Sequence, residues 1–124
     1  MNNMRPKFLA LHQIRLPLPG VVSILHRISG TLLFLALPLL LWMLQCSLRS
    51  VETYTELMDN LQRPVSKVFL LVVLWALLHH FCAGVRYLMI DFDMGVRLAQ
   101  ARTSSKWVLA VSLVLTVVAG VWLW

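Results

Sequence analysis

The sequence is short of charge, of acid above all, and of cysteine. Charged residues make up 13% of its 124 residues, only 5 are Asp or Glu, and the hydrophobic share is 60%. A water-soluble domain of this length needs far more polar surface. Composition therefore excludes a soluble globular fold and points to a small integral membrane protein. The acids are Glu52, Glu56, Asp59, Asp91 and Asp93, and none lies inside an apolar run. A proton or ion transporter working through His79, His80 and Arg86 would thus lack a carboxylate relay. The only two cysteines, Cys46 and Cys82, sit within apolar stretches and form no CxxC pair. That spacing argues against a disulfide framework and against a zinc site, and the pair reads as two small buried apolar residues.

Basic residues are in surplus, and the net charge is +6. They flank or enter apolar spans, with no basic run and no interleaved aromatic platform, so they do not read as a nucleic-acid surface. The first twenty residues, "MNNMRPKFLALHQIRLPLPG", are too polar and too broken by proline to read as a cleavable signal.

What is abundant is uncharged apolar length. Ile28–Ser47, Val68–Val85 and Trp107–Trp124 contain no Lys, Arg, Asp or Glu. At about 1.5 Å per residue each run, with its flanks, is long enough for a hydrocarbon core that needs about 20 residues. Only helices satisfy their own backbone in lipid without closing a barrel. The expected fold is an all-α integral membrane protein, a single domain over residues 1–124. Its three transmembrane helices should lie at about 21–48, 65–91 and 105–124, after an N-terminal arm at 1–20. Pro38 lies inside the first span as a candidate kink. Trp107, Trp122 and Trp124 sit near the ends of the third, where interfacial aromatics collect.

Loop charge sets an orientation. Arg5, Lys7, Arg15 and Arg27 lie on the side of the first helix entrance, and Arg86, Arg97, Arg102 and Lys106 around the connection between the second and third spans. The opposite connection carries Arg49, Arg63 and Lys67, diluted by Glu52, Glu56 and Asp59. The positive-inside rule predicts a multi-pass protein of the inner (cytoplasmic) membrane, N-terminus cytoplasmic and C-terminus periplasmic.

Against that topology the costly residues stand out. "SILHRISG" places Ser23, His26, Arg27 and Gly30 at i, i+3, i+4 and i+7 near the start of the first span. Arg86 enters from the other chain direction to a similar depth, roughly 8–9 Å for both arginines. Two guanidinium groups at one level suit a carboxylate or a polar headgroup, and the stripe suits a quinone carbonyl. Snorkelling to lipid phosphate is the bland alternative for the arginines, and a close helix contact through Ser23 and Gly30 for the small residues. In "LLHHFCAGVRYLMIDF" His79 and His80 fall roughly 17 Å from the Asp91 exit, near mid-bilayer. A neutral imidazole there needs a partner, and haem iron is one. Backbone bonding, a partner helix or a proton relay are others. Gly84, four residues on from His80, leaves room for a flat macrocycle and favours His80 over His79. Its propionates would point towards His26, Arg27 and Arg86. His12 and His26 fall at or near the cytoplasmic boundary, and the core of the first span and the third span hold no other histidine, so a two-histidine haem needs a ligand from another polypeptide.

These residues carry a resemblance over nearly the whole chain. The N-terminal "RP" (Arg5, Pro6), "IRLP" before the first span, "SILHRISG" and "HHFCAGVRYLMIDF" in that order are similar to the cytochrome b556 membrane-anchor subunits of succinate dehydrogenase, respiratory complex II. The resemblance implies a bundle completed by a second three-helix anchor that supplies the other haem ligand. It also implies an iron–sulfur subunit, and a flavoprotein subunit that oxidises succinate. FAD and iron–sulfur clusters would then belong to partner subunits only. This chain has no dinucleotide fingerprint, no flavin motif and no cysteine set for a cluster. The resemblance implies one haem b with His80 as its axial iron ligand, and ubiquinone as substrate at Ser23 and Arg27. His26, Arg27 and Arg86 would lie near the propionates. One departure stands out: members commonly have a histidine directly after the arginine of H-x-x-x-G-x-R, and here it is Tyr87. A purely structural anchor, and the anchor of a related quinol:fumarate reductase, are the alternatives.

Overall fold

The computed structural model describes residues 15–124, and these are helical almost throughout. Arg5, Pro6, Lys7, His12 and most of the expected N-terminal arm lie outside the described residues. Four helices follow in order: α1 (Leu18–Arg49), α2 (Val51–Leu61), α3 (Pro64–Asp91) and α4 (Leu98–Leu123). α1, α3 and α4 are long and apolar enough to cross a membrane. The chain is an all-helical, multi-pass membrane protein.

Helix starts follow proline chemistry. α1 has a proline in its first turn (Pro19), and α3 begins on Pro64. At those positions the missing N–H has no helical acceptor to lose and the fixed φ is already helical. α1 continues through Pro38. α3 ends in a left-handed residue, Asp93 at φ 59°, and the Met94 N–H returns to the Met89 carbonyl at 3.0 Å. This is a Schellman-type stop, with Asp in the place more often held by Gly. Gly95, at φ 79°, completes the reversal into α4.

Two elements differ from the sequence expectation. α2 is an additional helix, too short to span, inside the connection between the first two spanning helices. It is started by a reciprocal cap. The Ser50 hydroxyl accepts from the Thr53 N–H, and the Thr53 hydroxyl accepts from the Ser50 N–H, each at 3.2 Å. The Ser50 hydroxyl and Glu52's own backbone N–H also hold the Glu52 carboxyl below its ordinary range. α4 begins at Leu98, seven residues before the expected Ser105. Its first turns are polar, and hydropathy registers only the part of a helix that lies in hydrocarbon.

α3 is the central element, packed on α1 along one side and on α4 along the other, with α1 and α4 in lesser contact. Val22 from α1, Ala83 from α3 and Val108 from α4 meet in one buried cluster. The buried residues are mostly small: Ser29, Ala36, Ala76, Ser105, Ser112 and Thr116. Most Leu, Val, Phe and Trp side chains point outward. That inversion of the soluble pattern is expected where lipid tails are as apolar as leucine and helices gain by close approach.

Candidate functional site

The α1–α3 seam is built from two copies of one spacing, His26-x-x-x-Gly30 on α1 and His80-x-x-x-Gly84 on α3. Residues four apart share a helix face, and the two helices run in opposite directions. Each histidine therefore lies against the other helix's glycine. A Cβ added to Gly30 would stand 2.9 Å from His80 Cε1, and one added to Gly84 would stand 3.8 Å from His26 Nε2. The two imidazoles stack between these glycines, with centroids 4.1 Å apart and planes at 15°. Gly30 is the tighter position, since any side chain there would displace the His80 ring.

Hydrogen bonding fixes the chemistry of the His80 ring. Its Nδ1 lies 3.1 Å from the His26 carbonyl oxygen and 3.1 Å from Ser29 Oγ. Ser29 donates its own hydroxyl to the same carbonyl at 2.9 Å. A carbonyl oxygen only accepts, so Nδ1 carries a proton, and in the neutral ring the lone pair then lies on Nε2. A backbone carbonyl holding one ring nitrogen while the other is left to ligate is the usual arrangement of a metal-binding histidine.

His79, one residue earlier, is turned about 100° around α3 and enters the α3–α4 seam instead. It is fully buried. Trp75 stacks on it at 5.3 Å, and Ser112 Oγ on α4 stands 3.5 Å from its Nδ1. Its Nε2 is buried without a partner among the described residues. Enclosed in this way, His79 has no open side on which a macrocycle could lie. The donor set therefore fits a haem at His80 and not at His79.

The remaining predicted site residues separate. His26, expected nearer the cytoplasmic boundary than His80, instead lies level with it and stacks on it directly, because α1 and α3 pass each other at that height, and its ring also meets Tyr87 at 5.3 Å. Ser23 and Arg27 form the next row around α1, where Ser23 is half-buried and Arg27 is exposed. Arg86 is buried and turns to α4, donating from Nε to Ser104 Oγ at 2.9 Å and from Nη2 to the Ala101 carbonyl at 3.4 Å. Its guanidinium also stands 5.3 Å from the Tyr87 ring centre. The sequence reading missed Ser29 as a partner of His80. Its signal was the position three residues after His26, on the face that meets α3. Gly84 was expected to open space beside His80, but in the fold it faces His26, while Gly30 lies against His80.

The family model for the succinate dehydrogenase/fumarate reductase transmembrane subunit matches residues 1–119. The chain is 36% identical over 125 aligned positions, covering all of both chains, to the succinate dehydrogenase cytochrome b556 subunit of Coxiella burnetii. It is 33% identical to the subunit of that name from Paracoccus denitrificans, over 91% of this chain and 87% of that one. The mitochondrial succinate dehydrogenase cytochrome b560 subunit of Dictyostelium discoideum is 30% identical over 84% of this chain and 55% of its own length. Three apolar helices, a histidine seam between the first two of them and a family match over nearly the full length agree, and the chain belongs to the succinate dehydrogenase/fumarate reductase transmembrane subunit family.

Proposed function

We propose that the chain is the haem- and quinone-binding membrane anchor of a succinate:ubiquinone oxidoreductase. It would tether the iron–sulfur and flavoprotein subunits beside a second three-helix anchor. The observation that carries the reading is the His80 ring, held through Nδ1 by the His26 carbonyl with Nε2 left as its ligating atom. His80 would hold the iron of one haem b, and the second anchor would supply the other iron ligand. Bound there, the haem supplies one-electron storage in the membrane. His26 and Arg27 would answer its propionates, with Arg86 one step behind Tyr87.

Ubiquinone reduction takes two electrons and two protons, and charge builds on the quinone oxygens as electrons arrive. Arg27 is an exposed guanidinium beside half-buried Ser23, four residues apart on one row. The arginine would stabilise that charge and the serine would hydrogen-bond a quinone carbonyl. Succinate would be oxidised in the flavoprotein, and electrons would reach this chain through the iron–sulfur subunit. The basic end of the bundle, with the N-terminus, would face the cytoplasm.

The test is a reduced-minus-oxidised optical spectrum of the complex purified through this chain, with His80→Ala and His79→Ala beside it. A b-type signal lost in His80→Ala and kept in His79→Ala is expected. A well-assembled parent without haem would leave only a structural anchor. A signal that survives His80→Ala would move the ligand elsewhere.

A further inference from the structure

The far end of the bundle holds a groove that the haem and quinone reading does not use. It lies where α1 ends, α2 crosses and α3 begins. Its outer part is a cavity of about 590 Å³ with a polar wall: Thr53, Glu56 and Asn60 from α2, Arg63 and Ser66 around the start of α3. An inner arm of about 320 Å³ shares Trp42, Leu57, Asn60, Val65 and Ser66 with it and is lined further by Leu39, Met43, Leu61, Phe69 and Leu70. Leu39 stands ten residues before the end of α1 at Arg49 and Leu70 six residues into α3. The arm therefore runs roughly 9–15 Å along the helices, from the polar end into the apolar one.

Both parts are of ligand-pocket size, within about 300–1,000 Å³. The polar wall carries one cation and one anion, Arg63 and Glu56. Both are exposed, and among the described residues neither is in an ion pair. Trp42, an exposed aromatic of the kind that collects at membrane interfaces, lines both parts. A polar mouth of mixed charge above an apolar arm matches an amphiphile with a zwitterionic head. A guanidinium fork suits phosphate, and a carboxylate suits a primary ammonium.

We propose that this groove binds one phosphatidylethanolamine. Its phosphate would lie on Arg63, its ammonium on Glu56 and Asn60, and an acyl chain in the arm that ends at Leu39 and Leu70. The lipid would splint α2 against the two spanning helices it joins.

The test is native mass spectrometry of the intact complex after a delipidating detergent wash and re-addition of phosphatidylethanolamine or phosphatidylglycerol. The parent is expected to hold one phosphatidylethanolamine per copy of this chain. Arg63→Gln should hold about tenfold less, the loss of one charge-assisted hydrogen bond, and Arg63→Lys should lie between. Glu56→Gln should shift preference to the anionic lipid. Arg49→Gln, on the same end but off the groove wall, should leave retention unchanged. Leu70→Trp keeps both charges and fills the arm, and should expel the lipid from an assembled complex. Retention indifferent to Arg63→Gln and Leu70→Trp would overturn the proposal. So would equal damage from Arg49→Gln, or a retained mass that is quinone rather than phospholipid.

Discussion

The two seams along α3 use the same residue types to opposite ends. In the α1–α3 seam a histidine is held at one nitrogen, flanked by glycine and left half-exposed. In the α3–α4 seam its neighbour is shut away, stacked on Trp75, with a 3.5 Å approach from Ser112 and a bare Nε2. One side is arranged to present an imidazole and the other to pack one. Adjacent positions on a helix diverge by about 100°, so a His-His pair necessarily sends its members to different neighbours. The glycines then decide the outcome. The seam facing α1 has one on each helix at the histidine level, whereas the seam facing α4 is lined there by serine and threonine.

The largest effect should come from breaking both seams together. Ala83 is fully buried in the cluster shared by α1, α3 and α4. Ala83→Leu should destabilise the bundle by about 3 kcal/mol, the upper range for overpacking, read as a lower midpoint of unfolding in detergent. Arg27→Leu acts on the α1 side alone. Succinate:quinone activity should fall roughly 30-fold, about 2 kcal/mol in the barrier. Electron transfer from succinate to a water-soluble artificial acceptor should be unchanged. Equal loss of both activities would show damaged assembly instead.

The glycines sharpen the contrast further. Gly30→Ala would put a methyl 2.9 Å from His80 Cε1, and a ring tied at Nδ1 gives way poorly. A cost of about 1–2 kcal/mol and a shifted haem spectrum are expected. Gly84→Ala meets only an ordinary 3.8 Å contact and should change stability by less than about 0.5 kcal/mol. The smallest effect belongs to His79→Leu. Removing a buried nitrogen that has no partner costs little and can stabilise, so the unfolding midpoint should hold or rise and the haem spectrum should stay as in the parent. Loss of haem in His79→Leu with an intact fold would reverse the assignment of the two seams.

Much of this was legible in the chain. The three apolar runs are lengths that only a bilayer accommodates, and they appear as α1, α3 and α4. That Ser23, His26, Arg27 and Gly30 share one stripe follows from helical spacing alone, whereas the fold turns His26 and Gly30 to α3 and leaves Ser23 and Arg27 in the row beside them. α2 was hidden because eleven residues with two glutamates do not register as a span. Its cap, Ser50 paired with Thr53, is a local signal that hydropathy does not see. Arg86 was harder, because depth put it level with Arg27 but the direction of its side chain depended on which helix packed against that face. α4 did, and Ser104 and Ala101 took the guanidinium.

The sequence by itself determined how many times the chain crosses, which end of the bundle is basic and which polar residues share a face. Those follow from transfer free energy and from 3.6 residues per turn, neither of which needs a partner. Only the tertiary structure decided which histidine is presented and which is buried, that each glycine serves the other helix's histidine, and that Arg86 belongs to α4. Those depend on the rotation of each helix about its own axis. In lipid that rotation is set by where small residues allow two backbones to approach, a property of pairs of helices and not of any one of them.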